Sequence, residues 1–270
     1  MTPDALKECG VLDDVSAPQG GFDPNGAWTY TWRLWAVGSD NHRGIVRIKR
    51  SVSDNGRTVD LEVNQYTLLV TYFAQNEVVA ELQCRADALT SPRSWRVTSR
   101  ILDLVNCKEF ERARVEESAQ VRNGTIRVRT AGGTFTREAP ETFTCNWSLF
   151  DTVQRLPGER TTALEFDLLQ ELDELKTGHR LRFREKTSIR HAGKTVPVTC
   201  YQQLGRALLP YHYYVDEHHR LLLITGGSRA YILDAAGRAF HDEQVKALLT
   251  RRNRQKRRGD KGGRQKHESS

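Results

Sequence analysis

A period of two runs through most of this chain, and it restricts the fold more than any other feature. In "WTYTWRLWAV", Trp28, Tyr30, Trp32 and Leu34 fall on one side, and Thr29, Thr31, Arg33 and Trp35 on the other. "GIVRIKRS" sets Val46 and Ile48 against Arg47 and Lys49. "SDNG" then reads as a turn before "RTVDLEV" and "YTLLVTYFA". Further strand-like runs cover residues 78–84 and 95–104, a charged stretch near 112–117, and "QVRNGTIRVRT", where Asn123-Gly124 reads as a hairpin turn. Connections this short join antiparallel neighbours and leave no room for helical crossovers.

The period changes in the middle. Asn146 stands where an N-cap would, Leu149, Val153 and Leu156 follow at helical spacing, and Pro157-Gly158 ends the segment, so a helix is expected near 147–156. Thr162 and Glu165 form a capping-box pattern. Leu164, Leu168, Leu172 and Leu175 make a helical stripe that Gly178 closes, which predicts a second helix over 162–176. Strands resume with "HRLRFREKTSI", "KTVPVTCYQQLG", "YHYYVDE", "HRLLLITGG" and "SRAYILD", and a short helix is expected over 236–250. The Pro/Gly/Asp-rich residues 1–27 read as an irregular lead-in. The expected class is mainly β (α+β): one domain over 28–235, a long curved antiparallel meander or half-barrel packed on one or two helices.

The net charge is confined to one end. The chain carries 41 Lys/Arg against 34 Asp/Glu; the last twenty residues hold nine Lys/Arg and two acids, so the first 250 residues balance at 32 of each sign. Residues 251–270 contain no apolar side chain and read as a disordered basic tail. Arg251, Arg252, Arg254, Lys256, Arg257 and Arg258 are its candidate polyanion contacts, able to meet nucleic acid or an anionic surface without sequence preference. No apolar run approaches 18 residues, which excludes a transmembrane helix. No basic-then-apolar start suggests a signal peptide. The chain as given reads as cytoplasmic, the alternative being an exported or periplasmic protein seen in processed form.

Catalytic and metal signatures do not emerge. The five cysteines are widely spaced with no C-x-x-C, and four fall in or beside strand-like runs, as small buried apolar side chains do. Cys84–Cys107 or Cys145–Cys200 bridges are the alternative in an oxidising compartment. His218 and His219, beside Asp216 and Glu217, lack any zinc-ligand spacing. "TGGSRAY" lies between strands, so it is neither a nucleophile elbow nor a phosphate cradle, and Gly226-Gly227 reads as a tight turn or bulge. No catalytic residue, metal or cofactor is assigned.

Two constellations remain. Arg47/Lys49, Arg127/Arg129 and Arg180/Arg182/Arg184 mark the wet side of strands, with Asp60/Glu62, Glu77 and Glu81 as cross-strand counterparts. Trp28, Tyr30 and Trp32, with Tyr211 and Tyr213, define an inward aromatic face that either fills a core or lines a cavity for an apolar ligand.

The closing stretch "TVPVTCYQQLGRALLPYHYYVDEHHRLLLITGGSRAYILD" resembles the end of bacterial β-meander domains of unknown function, similar to lipoprotein-carrier-like half-barrels. Tyr214-Val215-Asp216 and the apolar run 221–224 occupy the matching places over residues 165–235. The resemblance implies a curved sheet clasping helices, with an interior that can take lipid, and brings no catalytic residues. The expected function is a non-catalytic binding or scaffolding module for an apolar ligand or lipidated partner. The alternative is an accessory protein tethered to nucleic acid by its basic tail.

Overall fold

The alternating runs form strands, and the strands join one sheet. The computed structural model describes residues 1–36, 42–53, 55–157 and 162–264, the last ten by backbone course alone. The first half gives β1 (Trp28–Ala36), β2 (His42–Val52), β3 (Thr58–Leu69), β4 (Ala74–Arg85), β5 (Pro92–Asp103), β6 (Lys108–Glu109), β7 (Val115–Arg122), β8 (Thr125–Thr130) and β9 (Gly133–Glu138). The second gives β10 (Phe143–Cys145), β11 (Leu164–Gln170), β12 (Glu174–His191), β13 (Lys194–Gly205), β14 (Leu208–Asp216), β15 (Leu221–Gly226) and β16 (Arg229–Leu233). Three α-helices accompany them: α1 (Pro3–Glu8), α2 (Ser148–Gln154) and α3 (Gly237–Arg264). The fold is mainly β.

The sheet order runs β10 to β16, then β1 to β5, then β7 to β9, with β6 paired on β5 alone. Only β10 with β11 is parallel. The first and last strands are therefore neighbours, Trp32 lying opposite Leu233 and Trp35 opposite Ala230. The cycle breaks only between β9 and β10, which residues 139–142 connect. That link spans about 18 Å at full extension, so the two ends of the sheet stay close and the sheet must roll. Arg137 of β9 reaches the opposite end, donating to the Asp173 carbonyl at 2.6 Å in the turn between β11 and β12. The result is a rolled sheet with a seam.

Three local expectations need correction. The leucine stripe at 162–176 forms β11 and the start of β12, with Phe166, Leu168 and Leu169 buried. Leu164, Phe166 and Leu168 fit period two as well as Leu164, Leu168 and Leu172 fit a helix. A ladder with β12, interrupted by one irregularity between Phe166 and Leu168, decides the contest, because tertiary pairing outweighs local propensity. The lead-in is packed: α1 buries Leu6, Leu12 is fully buried, and the Ala192 amide donates to the Leu12 carbonyl at 2.8 Å. The C-terminal helix does not stop at 250 but continues through Arg264, where disorder was expected; residues 265–270 lie outside the described residues. Arg, Lys and Gln are good helix formers, and adding residues to an anchored helix costs little once it is nucleated. Among the described residues, no helix is long and apolar enough to cross a membrane.

Candidate functional site

Trp28, Tyr30 and Trp32 share the inner face of β1, with ring centroids 5.7, 6.1 and 6.3 Å apart. The space they face is occupied. All seven residues of α2 are buried, and Phe150 meets the fully buried Trp32 edge-on at 4.9 Å. The Trp32 indole N–H donates to the Leu221 carbonyl at 2.9 Å, and the Leu221 amide donates to Gln154 Oε1 of α2 at 3.1 Å. Tyr213 is buried on the same inner side and donates to Gln203 Oε1 at 2.6 Å; Gln203 in turn donates to His179 Nδ1 at 3.2 Å. Tyr211 is half-buried, its ring lying on Gly226, where an added Cβ would stand 2.6 Å from the ring. The His179 ring lies on Gly205 in the same way, with Phe166 stacked at 5.9 Å. Trp28, Trp32 and Tyr213 are thus buried in the core, Tyr30 and Tyr211 are half-buried against it, and α2 packs on the inner face beneath Trp32.

Inside this core sits a charge cluster that the sequence reading missed. Asp151 of α2 accepts from Arg50 Nε at 2.6 Å, from Arg155 Nε at 2.9 Å and from the Thr90 hydroxyl at 2.5 Å. The Asp151 side chain is 0% exposed and that of Arg50 3%. Arg50 also donates to the Asn25 carbonyl at 2.7 Å and to the Gly26 carbonyl, and Arg155 to the Asp87 carbonyl at 2.8 Å. Buried ions are tolerated only when so satisfied. Two signals were available: Arg50 continues the inward positions of Val46 and Ile48, and Asp151 interrupts the apolar run "LFDTV".

A second polar chain fastens α3 to the outside of the sheet. Gln75 Nε2 donates to Glu77 Oε1 at 2.9 Å, so Gln75 Oε1 accepts from His241 Nε2 at 2.8 Å. His241 Nδ1 must then accept from His42 Nε2 at 3.2 Å. Burial, reinforced by His241 and then Arg33, pushes His42 down to about 3; burial and then Arg238 push His241 down to about 4. Both rings are neutral near pH 7. Arg33 lies over the Phe240 ring at 3.5 Å and pairs with Asp234, whose carboxylate also accepts from the Ala236 amide at 2.9 Å.

The open surface is elsewhere. The outer face of β3, β4, β5, β7 and β8 is concave, with a volume of about 990 Å³. Asp60, Glu62 and Glu81 occupy the β3–β4 side, and Arg96, Arg122, Arg127 and Arg129 the β5–β8 side, with Gln83, Ser94, Ser118 and Gln120 among them. Glu62 pairs with Lys49 at 2.6 Å, as the alternation suggested, and Glu77 pairs with Arg100 at 2.7 Å. None of the four groove arginines makes an ion pair or side-chain hydrogen bond among the described residues.

On α3, Arg251 and Arg254 are exposed and Arg252 lies 5.5 Å above the Phe73 ring; Lys256, Arg257 and Arg258 continue the helix. The turn at 216–220 is built by Asp216, which accepts from the His218 and Arg220 amides at 2.9 and 2.7 Å. Among the described residues no group of His, Cys, Asp and Glu is placed to hold a metal ion. All five cysteines are free. Cys84 and Cys145 both lie against the Ser148 hydroxyl, at 3.9 and 3.3 Å, and neither of the two alternative bridges is formed.

No family model matches the sequence, and no curated protein matches it. Among solved structures, a β-barrel-like protein of the domain of unknown function DUF1849 from Brucella abortus is similar, with a TM-score of 0.49 and 8% identity. The match covers 77% of this chain and 95% of that one.

Proposed function

We propose that this protein is a binding module that works through its concave outer face and takes an extended polypeptide bearing an acidic segment. The observation that carries this reading is the set of four arginines, Arg96, Arg122, Arg127 and Arg129, gathered in a groove of about 990 Å³ without ion-pair partners among the described residues. Guanidinium groups offer forked donors to carboxylates. The acids on the opposite side of the groove give a bound chain a direction, acidic residues over β5–β8 and basic or neutral ones over β3–β4. A nucleic acid suits the groove less well: the one tryptophan of its lining, Trp95, is buried and offers no stacking platform.

A fluorescent oligo-glutamate peptide tests the reading by anisotropy at low salt. Arg127→Glu with Arg129→Glu should abolish its binding, and truncation after Thr250 should spare it. The reverse pattern would assign anion binding to α3. That second reading, a nucleic-acid or anionic-surface tether, draws on the helix that continues to Arg264 through the basic stretch of the sequence. The inner-face reading, a lipid or lipidated partner held as in lipoprotein-carrier-like half-barrels, requires α2 to leave and the Arg50–Asp151 pair to break.

A further inference from the structure

The sheet has two ends, and they differ in how well they are protected. β10 is three residues long and buried throughout, with α2 following directly behind it. Residues 133–136 of β9, Gly-Thr-Phe-Thr, are all exposed, and the Phe135 side chain is 48% exposed. A two-residue turn, Ala131-Gly132, joins β8 to β9, and Thr130 with Gly133 closes the hairpin. Gly133, Phe135 and Arg137 therefore turn their N–H and C=O groups toward β8, and Thr134 and Thr136 turn theirs to the free edge. Among the described residues, β9 pairs with β8 alone. Natural edges are usually blunted by a lysine, a proline or a bulge. This stretch has neither residue, and its register with β8 is unbroken.

We propose that the free edge of β9 pairs antiparallel with the same edge of a second copy of this chain. The stretch is self-complementary. With Phe135 opposite Phe135, Thr134 of each copy faces Thr136 of the other, outward groups meet outward groups, and Arg137 falls opposite Gly133. No like charges oppose one another, and the two half-exposed Phe135 rings come together at the axis, where side chains of a non-hydrogen-bonded pair are closest. The pairing also brings the basic halves of the two grooves side by side, since Arg127 and Arg129 stand next to Thr136 and Thr134 on β8. That repulsion is screened within about 8 Å at physiological ionic strength.

Sedimentation velocity on the full chain, over about a hundredfold range of concentration, tests this. A monomer–dimer equilibrium is expected, and added salt should strengthen it. Thr136→Pro deletes an outward N–H and leaves the β8 ladder intact, as proline is tolerated on an edge strand. This variant should be monomeric where the parent is dimeric, and should melt where the parent does at concentrations low enough to keep the parent monomeric. Thr134→Lys serves if the proline variant fails to fold, and should weaken association at least about tenfold, or 1.4 kcal/mol. A parent chain that stays monomeric at the highest concentration overturns the proposal and leaves the edge to a strand from another protein. A dimer indifferent to both substitutions, or one dissolved by salt, overturns it as well.

Discussion

Two groups of arginines in this molecule live by opposite rules. Arg50 is buried and Arg155 partly buried around Asp151, and hydrogen bonds to carboxylate, hydroxyl and carbonyl oxygens hold them. Arg96, Arg122, Arg127 and Arg129 sit on an open face with no ionic partner among the described residues. Inside, an unpaired charge costs several kcal/mol, so the cluster must be complete. Outside, water supports the charge, and an arginine without a partner costs the fold almost nothing. The inner group therefore speaks about stability and the outer group about recognition.

The contrast is easiest to break at Asp151. Asp151→Ala strands Arg50 in the core and unpairs the partly buried Arg155, and should cost about 3–5 kcal/mol, read from denaturant unfolding. A cost near zero would mean that α2 is not held by this cluster. Trp32→Ala should fall in a similar range, about 3–5 kcal/mol, for a buried aromatic. It should bring no gain in binding of a fluorescent fatty acid, because α2 and Phe150 already fill the space beneath the ring. Strong probe binding by the parent chain would restore the carrier reading.

The histidine chain should give an effect that depends on pH. His42 and His241 are neutral in the folded chain, held down to about 3 and about 4 from 6.5. The unfolded chain takes up these protons first, so their contribution is complete above about pH 6.5 and is lost as pH falls toward 4. The slope approaches about 1.4 kcal/mol per pH unit for each ring. His241→Gln should flatten the profile between pH 6.5 and 4.5; an unchanged slope would move the acid sensitivity to other groups. The smallest effects belong to the outer face. Arg127→Ala and Arg129→Ala should each stay within about 0.5 kcal/mol of the parent, and a larger loss in either would make the groove part of the scaffold.

The strands were legible in the sequence because alternation is a strong signal wherever one face is buried. Trp28, Tyr30 and Trp32 turn inward as the pattern requires. The leucine stripe at 162–176 was not, since Leu164, Leu168 and Leu172 satisfy one period and Leu164, Phe166 and Leu168 the other; the ladder with β12 settled it. Of the groove, Arg127 and Arg129 were visible as wet strand positions. That they would lack counterparts was not, because pairing across β5, β7 and β8 depends on register. Asp151 and Arg50 lie 101 residues apart, so their union belongs to tertiary structure.

The pairing of β16 with β1 sets a timetable. Arg33 and Asp234, which clasp the first strand to the last, are 201 residues apart. During synthesis β1 emerges early with Trp32 and Leu34 on its inner face, and the strand that completes its second side is the last of the sheet to appear. Until then the growing chain carries an unfinished border next to its most aromatic segment. Contacts of such long range slow folding and leave apolar surface open to wrong partners while they wait. For this molecule the vulnerable interval covers the synthesis of every strand from β2 to β16, and it ends only when β16 arrives.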